Sequence, residues 1–413
     1  MTMMRMPTFS QFQQNAQLIS QQFDALNRLV IQASTFKKIQ VSSEDPVLAS
    51  QIKSQSTFLQ NIQSFYNNGV LAQNRAQLFS STIQNSLSVI NDVQTQIKQV
   101  QSGILSGQNM DAIAEQLSGD LSLLLSYANT TDANGNYIFG GFSTNIPPYV
   151  QVNGVYQYQG SDNRSYIDIG QNVNALFYES GFTVFGDIFN GNGTFTINAN
   201  SANTGSASTT AGNVVDQSAY VPDTYTLTFV TNSSGQLAYQ VVGASSGQVV
   251  PPLPATIPAD APAYTSKAQI TFNGINFSVD GTPNVGDNFT IQPSQQQNTF
   301  NTLQSLIQTI QSSSTTNQGI FNQAISQLSA AVSQLSSHLI VYESQSGTNS
   351  ASINDQININ ASIVTNSTAA LSGLEDVDIG QVASALMQKQ LAIQATTDSY
   401  MKLQDTLMQI LQL

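Results

Sequence analysis

A chain of 413 residues has room for two or three domains, and with only 8% of its residues charged it wets its surface mainly with Gln, Ser, Asn and Thr. The absence of cysteine excludes disulfides and thiolate metal sites, and a single histidine excludes His-based metal clusters and triads. The formal charge of -13 is uneven: residues 165–300 hold one Lys against eight acids, which argues against a nucleic-acid partner, and no apolar run reaches the ~18 residues of a membrane span.

Met1–Pro7 leads into neither an apolar run nor a small-residue cleavage site, so no cleaved secretory leader is expected. Phe9, Phe12, Ala16, Ile19, Phe23, Leu26, Val30 and Ala33 then alternate steps of three and four, with mostly Gln, Asn and Ser between them. That spacing predicts a coiled-coil helix within residues 1–40. Lys37–Val41 reads as a connection. Asp45 is placed to cap a helix, and Pro46 suits its first position, where no N–H is needed.

The predicted helix runs to about Ile104, with Ile83, Ile90, Ile97 and Ile104 seven residues apart. Gly103 and Gly107 are its stop and Asn109 the next cap; Ile113, Leu117, Leu121 and Leu124 mark a further amphipathic helix to Ala128. Asn134-Gly135 predicts a turn, Tyr137–Phe139 a short strand, and Val150–Val152 faces Val155–Tyr158 across Asn153-Gly154, a strong hairpin signal. Arg164–Ile169 adds a strand, with Arg164 expected beside Asp162 or Asp168. Residues 41–171 therefore read as a helical rod with β-hairpins.

Residues 172–295 read as an inserted β-rich domain. Tyr225–Val230 and Leu237–Val242 alternate around a turn at 232–235, and Gln269–Phe272, Ile275–Val279 and Asn288–Ile291 follow in the same style. Ser201–Gly212 is low-complexity and expected as a mobile loop. Pro251–Pro262, with five prolines, is expected as an extended crossing. Helical texture returns over 296–373.

In the terminal stretch, 374–413, Ile379, Leu386, Ile393, Tyr400 and Leu407 recur every seven residues, and Val382, Leu403 and Ile410 fill a second seam position that Lys389 and Thr396 interrupt. This stripe matches the one at the other end of the chain. The fold class that follows is α+β and elongated: a long helical coiled-coil region formed by the N- and C-terminal segments, small β-hairpins, and an inserted β-rich domain. Ordering ~25 residues of each end costs more backbone entropy than one pair of stripes returns. Both ends are thus expected to be mobile in the free subunit and to order when neighbours cover them.

Residues that could carry chemistry have simpler uses. His338 lies on an apolar-rich helix. Asp132, Asn134 and Asn136 open like a calcium loop, but the glycine comes at the fourth position and Ser143 stands where a bidentate Glu is needed. Glu375, Asp376 and Asp378 precede a helix, where acids favour its dipole. There is no phosphate loop or nucleophile motif. No catalysis, metal or cofactor is expected.

Four motifs carry a family resemblance. Lys38–Val47, containing Ser42-Ser43-Glu44-Asp45-Pro46, resembles a basic, Ser-Asp-Asp-Pro segment; Asn134–Gly141, through Tyr137, Phe139 and Gly140, a Gly-x-Tyr-x-Phe-x-Gly strand; Val285–Ile291 a return from an insert; and Leu374–Asp378, with Asp376 and Asp378, the opening of a terminal helix. Together they resemble the flagellin superfamily and, within it, the hook-filament junction proteins (flagellar hook-associated protein 3), over about 5–170 and 284–413. The resemblance implies an extracellular structural component of the bacterial flagellum, exported by the flagellar type III apparatus without a cleaved leader. It implies as partners a hook-side junction protein, flagellin and copies of itself in a ring, with an export chaperone on the C-terminal helix. Two alternatives remain: flagellin itself, and a surface adhesin displaying the insert.

Overall fold

The computed structural model describes residues 5–102, 107–313 and 316–411. Six helices account for most of them: α1 (Arg5–Thr35), α2 (Pro46–Gln101), α3 (Gly107–Ala128), α4 (Thr299–Gln311), α5 (Gln318–Glu375) and α6 (Ile379–Leu411). Gly103 and Ile104 lie outside the described residues. The chain divides into two compact units within α2 and α5: Met1–Asn67 with Gln356–Leu413, and Asn68–Asp355.

The unit of residues 68–355 is built on a helical core. Ile83, Ile90 and Ile97 of α2 meet Leu117, Leu121 and Leu124 of α3, Phe300, Leu303 and Leu306 of α4, and Ile325, Val332 and Leu335 of α5, all buried in one cluster. Its lower floor is aromatic: Phe300 lies 4.6 Å from Tyr149 and 5.8 Å from Phe185, ring to ring. The expected hairpin forms, β1 (Tyr149–Val152) with β2 (Val155–Tyr158). Its turn residues Asn153 and Gly154 both take positive φ, 52° and 82°, as a two-residue hairpin turn requires. A second hairpin follows, β3 (Ser165–Gly170) with β4 (Val173–Tyr178). Sequence reasoning ended the first region at 171 and so separated these two strands.

The segment 188–297 contributes β5 (Ile188–Phe189), β6 (Phe195–Ala199), β7 (Ser208–Thr209), β8 (Asn213–Val214), β9 (Tyr225–Thr231), β10 (Leu237–Gly243), β11 (Gly247–Val250), β12 (Gln269–Phe272), β13 (Ile275–Asp280), β14 (Asn288–Pro293) and β15 (Gln296–Gln297). One antiparallel sheet has the order β11-β10-β9-β14-β6; β13 pairs with β12, β7 and β8 in another. Their facing residues, among them Phe195, Leu227, Phe229, Phe277 and Phe289, form a second buried core separate from the helical one.

Three local expectations are corrected. Ser201–Gly212 is fastened rather than loose: Asp287 accepts from the N–H groups of Thr204 (2.8 Å) and Gly205 (2.9 Å), and Ser206 and Thr210 donate to Thr282 and Ser278. Its low complexity reflects small residues in a tight place. A side chain at Gly205 would meet Asp287 at 2.5 Å. Pro251–Pro262 folds into successive turns, not an extended crossing. Tyr137–Phe139 is not a strand: Ile138 and Phe139 form a turn between two isolated bridges, Thr131 with Tyr137 and Gly140 with Ser180, closed by Gly140 N–H on Tyr137 O (3.3 Å).

Candidate assembly surfaces

The terminal unit has almost no interior. Among its described residues only Ile62, Asn360, Ser367 and Val382 are buried, and two of these are polar. α1 and α6 pack along one another. At one end the chain crossings are clasped: Lys38 N–H donates to Glu375 O (2.8 Å), Val377 N–H to Phe36 O (3.0 Å), and the Lys37 ammonium ion-pairs with Glu375. Hydrogen bonding to Glu375 holds the Lys37 ammonium above its ordinary pKa. The clasp joins the end of α1 to the start of α6, so the two helices run antiparallel.

The seam residues divide by face. On α6, Val382 is buried and Leu386, Ile393 and Tyr400 are half-buried, in line with Lys389 and Thr396, whereas Ile379 is exposed. On α1, Ile19 and Leu26 are half-buried but Phe23 and Val30 are each 47% exposed. The face that meets α6 is completed instead by Asn15, Gln22 and Leu29, one position from the expected Ala16, Phe23 and Val30. On this face Gln22 Oε1 accepts from the Lys389 ammonium at 2.6 Å. The side chains of Phe9, Phe12, Leu403, Leu407 and Ile410 lie outside those described.

Large apolar side chains remain open to solvent on both terminal helices. α1 presents Leu18, Phe23, Val30 and Ile31, and α6 presents Met387, Leu391, Met401 and Met408. Met401 and Met408 are one heptad apart, and Met387 is two heptads before Met401. Flexible, polarisable methionines suit a surface that must fit more than one neighbour.

The motif residues are structural pins. Asp45 Oδ1 accepts from Val47 N (3.1 Å) and Leu48 N (2.9 Å), and Pro46 opens α2, as expected. Asp378 caps α6 through Gly380 N (2.8 Å) and Gln381 N (3.2 Å). Glu375 and Asp376, expected ahead of that helix, belong to the end of α5 and its crossing: Glu375 pairs with Lys37, and Asp376 accepts from Ser372. In the other unit Phe139 is fully buried between Phe79 (5.4 Å) and Phe185 (5.2 Å), and Tyr158 donates to its carbonyl at 3.0 Å. A side chain at Gly140 would meet Ser143 O at 2.4 Å, so glycine is required there.

The carboxylates that resembled a site are committed. Asp132 pairs with Arg75, whose guanidinium lies over the rings of Phe177 (4.5 Å) and Tyr178 (4.1 Å). Burial pushes the Asp132 carboxyl up, but N–H groups of Asn136 and Asn134 and the Arg75 charge outweigh it and hold it below its ordinary value. Arg164 pairs with Glu179 (2.7 Å), not with Asp162 or Asp168: Glu179 is 3% exposed and would otherwise be a buried, uncompensated charge. A cavity of about 170 Å³ between α2, β4 and α5 is lined by Arg75, Phe79, Arg164, Phe177, Glu179 and Tyr342; its two guanidiniums pair with Asp132 and Glu179, while Arg75 Nη1 is buried without a hydrogen-bond partner. His338 holds the Thr183 carbonyl at 2.7 Å, and its ring lies tilted at 54° against Tyr342, 5.1 Å between centroids.

Sequence reasoning missed the residues that seat the β segment on α5. Gln323 receives Thr209 N and donates to Ile197 O; Gln327 Oε1 accepts from Thr196 Oγ1 (3.0 Å) and Ile197 N (3.2 Å); Gln334 donates to Asn192 O (2.9 Å). These glutamines are about one or two turns apart on one helix face, a spacing lost in a chain rich in Gln.

No family model matches the chain. It is 30% identical over 153 residues to flagellar hook-associated protein 3 of Escherichia coli and of Salmonella typhimurium, a match covering 37% of this chain and about half, 48%, of each relative. The crystal structure of flagellar hook associated protein-3 from Legionella pneumophila superposes with a TM-score of 0.75 at 30% identity, covering 78% of this chain and 98% of that one. Another, of the flagellar junction protein FlgL from the same organism, gives 0.69 at 31% identity, covering 74% and 99%. Antiparallel terminal helices, pinned motif residues and these likenesses agree, and the chain belongs to the flagellar hook-associated protein 3 family.

Proposed function

We propose that this chain is a structural subunit of the bacterial flagellum, outside the cell, and acts as an adaptor that joins a hook-side junction protein to flagellin. The observation that carries the reading is the terminal helix pair, which among its described residues buries only Val382 and leaves large apolar side chains exposed on both helices. Such a pair gains most of its burial from neighbours, so its ordering is coupled to assembly. In this reading Ile19, Phe23, Leu26 and Val30 of α1, with Ile379, Val382, Leu386, Ile393 and Tyr400 of α6, form the interface with partners and with copies of the chain in a ring. The chain leaves the cell by the flagellar export route, with α6 shielded by a chaperone until assembly. Its work is mechanical connection and requires no catalytic group.

The test replaces Leu386 and Ile393 together, Leu386→Asp and Ile393→Asp. The double variant is expected to keep the thermal transition of residues 68–355 and to lose incorporation at the hook tip, leaving cells without attached filaments. Normal incorporation would sink the reading. Purified chain that grows long filaments unaided would point to flagellin instead.

A further inference from the structure

The seam between α1 and α6 contains a polar contact that hydrophobic patterning does not explain. Lys389 is half-buried at a position where a coiled coil wants an apolar residue, and it donates to Gln22 Oε1 at 2.6 Å. Counting outward from that pair in the antiparallel sense gives the neighbouring layers. One heptad toward the clasp stand Leu29 and Val382, apolar with apolar. One heptad the other way stand Asn15 and Thr396, polar with polar. Both interruptions of the α6 seam therefore fall in layers where α1 is also polar. The adjacent stripe of α1 would place Phe23 in the layer of Lys389 and Ala16 in the layer of Thr396, and that stripe is the more apolar one.

We propose that Gln22 and Lys389 are specificity-determining residues that fix which face of α1 meets α6. The pair stops α1 from rolling toward Ala16, Phe23 and Val30, because that roll strips a half-buried ammonium of its acceptor. The richer stripe is thereby kept turned outward. The choice of face is independent of the assembly reading; only the use of the outward stripe as a surface for neighbouring subunits rests on it.

The chain has no cysteine, so a pair introduced into the full-length protein reports proximity without background. Val382→Cys is combined with either Leu29→Cys or Val30→Cys, and disulfide formation is compared under the same mild oxidant. The 29–382 pair is expected to form at least roughly tenfold faster, the ratio that corresponds to ~1.4 kcal/mol. Adding Lys389→Leu is expected to bring the two rates to within about a factor of two, whereas Lys389→Arg, which keeps a donor for Gln22, retains the preference. An undiminished 29–382 preference in the leucine variant overturns the proposal. Loss of both cross-links in that variant also overturns it, since these residues are assigned the choice of face and not the holding together of the helices. A failure of the assembly reading leaves the expected ratios unchanged, so the two are tested separately.

Discussion

The two units of this chain solve opposite problems with similar residues. Residues 68–355 hold four of the eleven basic residues and sixteen of the twenty-four acids, a formal -12, around two well-buried cores. The terminal segments carry a formal -1 and bury four described residues. The cored unit therefore carries a net repulsive charge. The terminal unit carries little net charge and, among its described residues, almost no core, the condition expected of a surface completed by others. The contrast teaches that apolar periodicity alone does not tell a core from an interface: Ile83, Ile90 and Ile97 and the stripe of Phe23 and Val30 share a heptad spacing, yet the first is buried and the second open.

The sharpest way to break this comparison is to truncate one aromatic residue in each unit. Phe300→Ala removes a fully buried ring packed on Tyr149, Tyr156 and Phe185 and is expected to cost ~3–5 kcal/mol in urea unfolding of the free chain. Phe23→Ala is expected to fall within ~0.5 kcal/mol. Equal costs would mean that α1 is already covered in the free chain. A smaller effect is expected at the seat of the β segment. Gln327→Ala leaves Thr196 Oγ1 and Ile197 N without their acceptor, a loss of ~1–3 kcal/mol, read as faster amide exchange in β6.

The smallest effect is a pH dependence confined to the β segment. N–H of Ser246 foremost, then its hydroxyl and the N–H groups of Ser245 and Thr224, outweigh desolvation and lower the Asp223 carboxyl to about 2. A carboxyl depressed in the folded state contributes stability that is complete above its unfolded value, near ~3.9, and is lost as pH falls through about 2. Asp223→Asn is expected to flatten the acid limb of the melting curve between those values. An unchanged limb would show that the Ser245–Ser246 turn does not depend on the charge.

Much of this was legible in the sequence because it rests on local chemistry. Asp45-Pro46 announces α2, Asn153-Gly154 the hairpin, and the isoleucine heptads the helical core, each through nearest neighbours in sequence. The terminal stripes were legible as stripes, but the face that α1 gives to α6 was not, since on it Gln22 meets Lys389, more than 350 residues away. The fastening of Ser201–Gly212 was hidden for the same reason: its acceptor, Asp287, comes about eighty residues later. Arg164 chose Glu179 over nearer acids because burial makes an unpaired carboxylate costly, and burial is not local information. Gln323 and Gln327 had no signal that set them apart from other glutamines.

The strands by which the chain enters and leaves the β segment lie side by side: Phe195 of β6 is opposite Pro293 of β14, and Ile188–Phe189 of β5 pairs with Gln296–Gln297 of β15. A module whose two ends meet can be lengthened, shortened or spliced out with a few linking residues, without altering the path of the helices on either side. The helix face it covers, with Gln323, Gln327 and Gln334, would then meet water with amides rather than with oily side chains. α5 is thus a support whose uncovered side would stay wettable without its passenger.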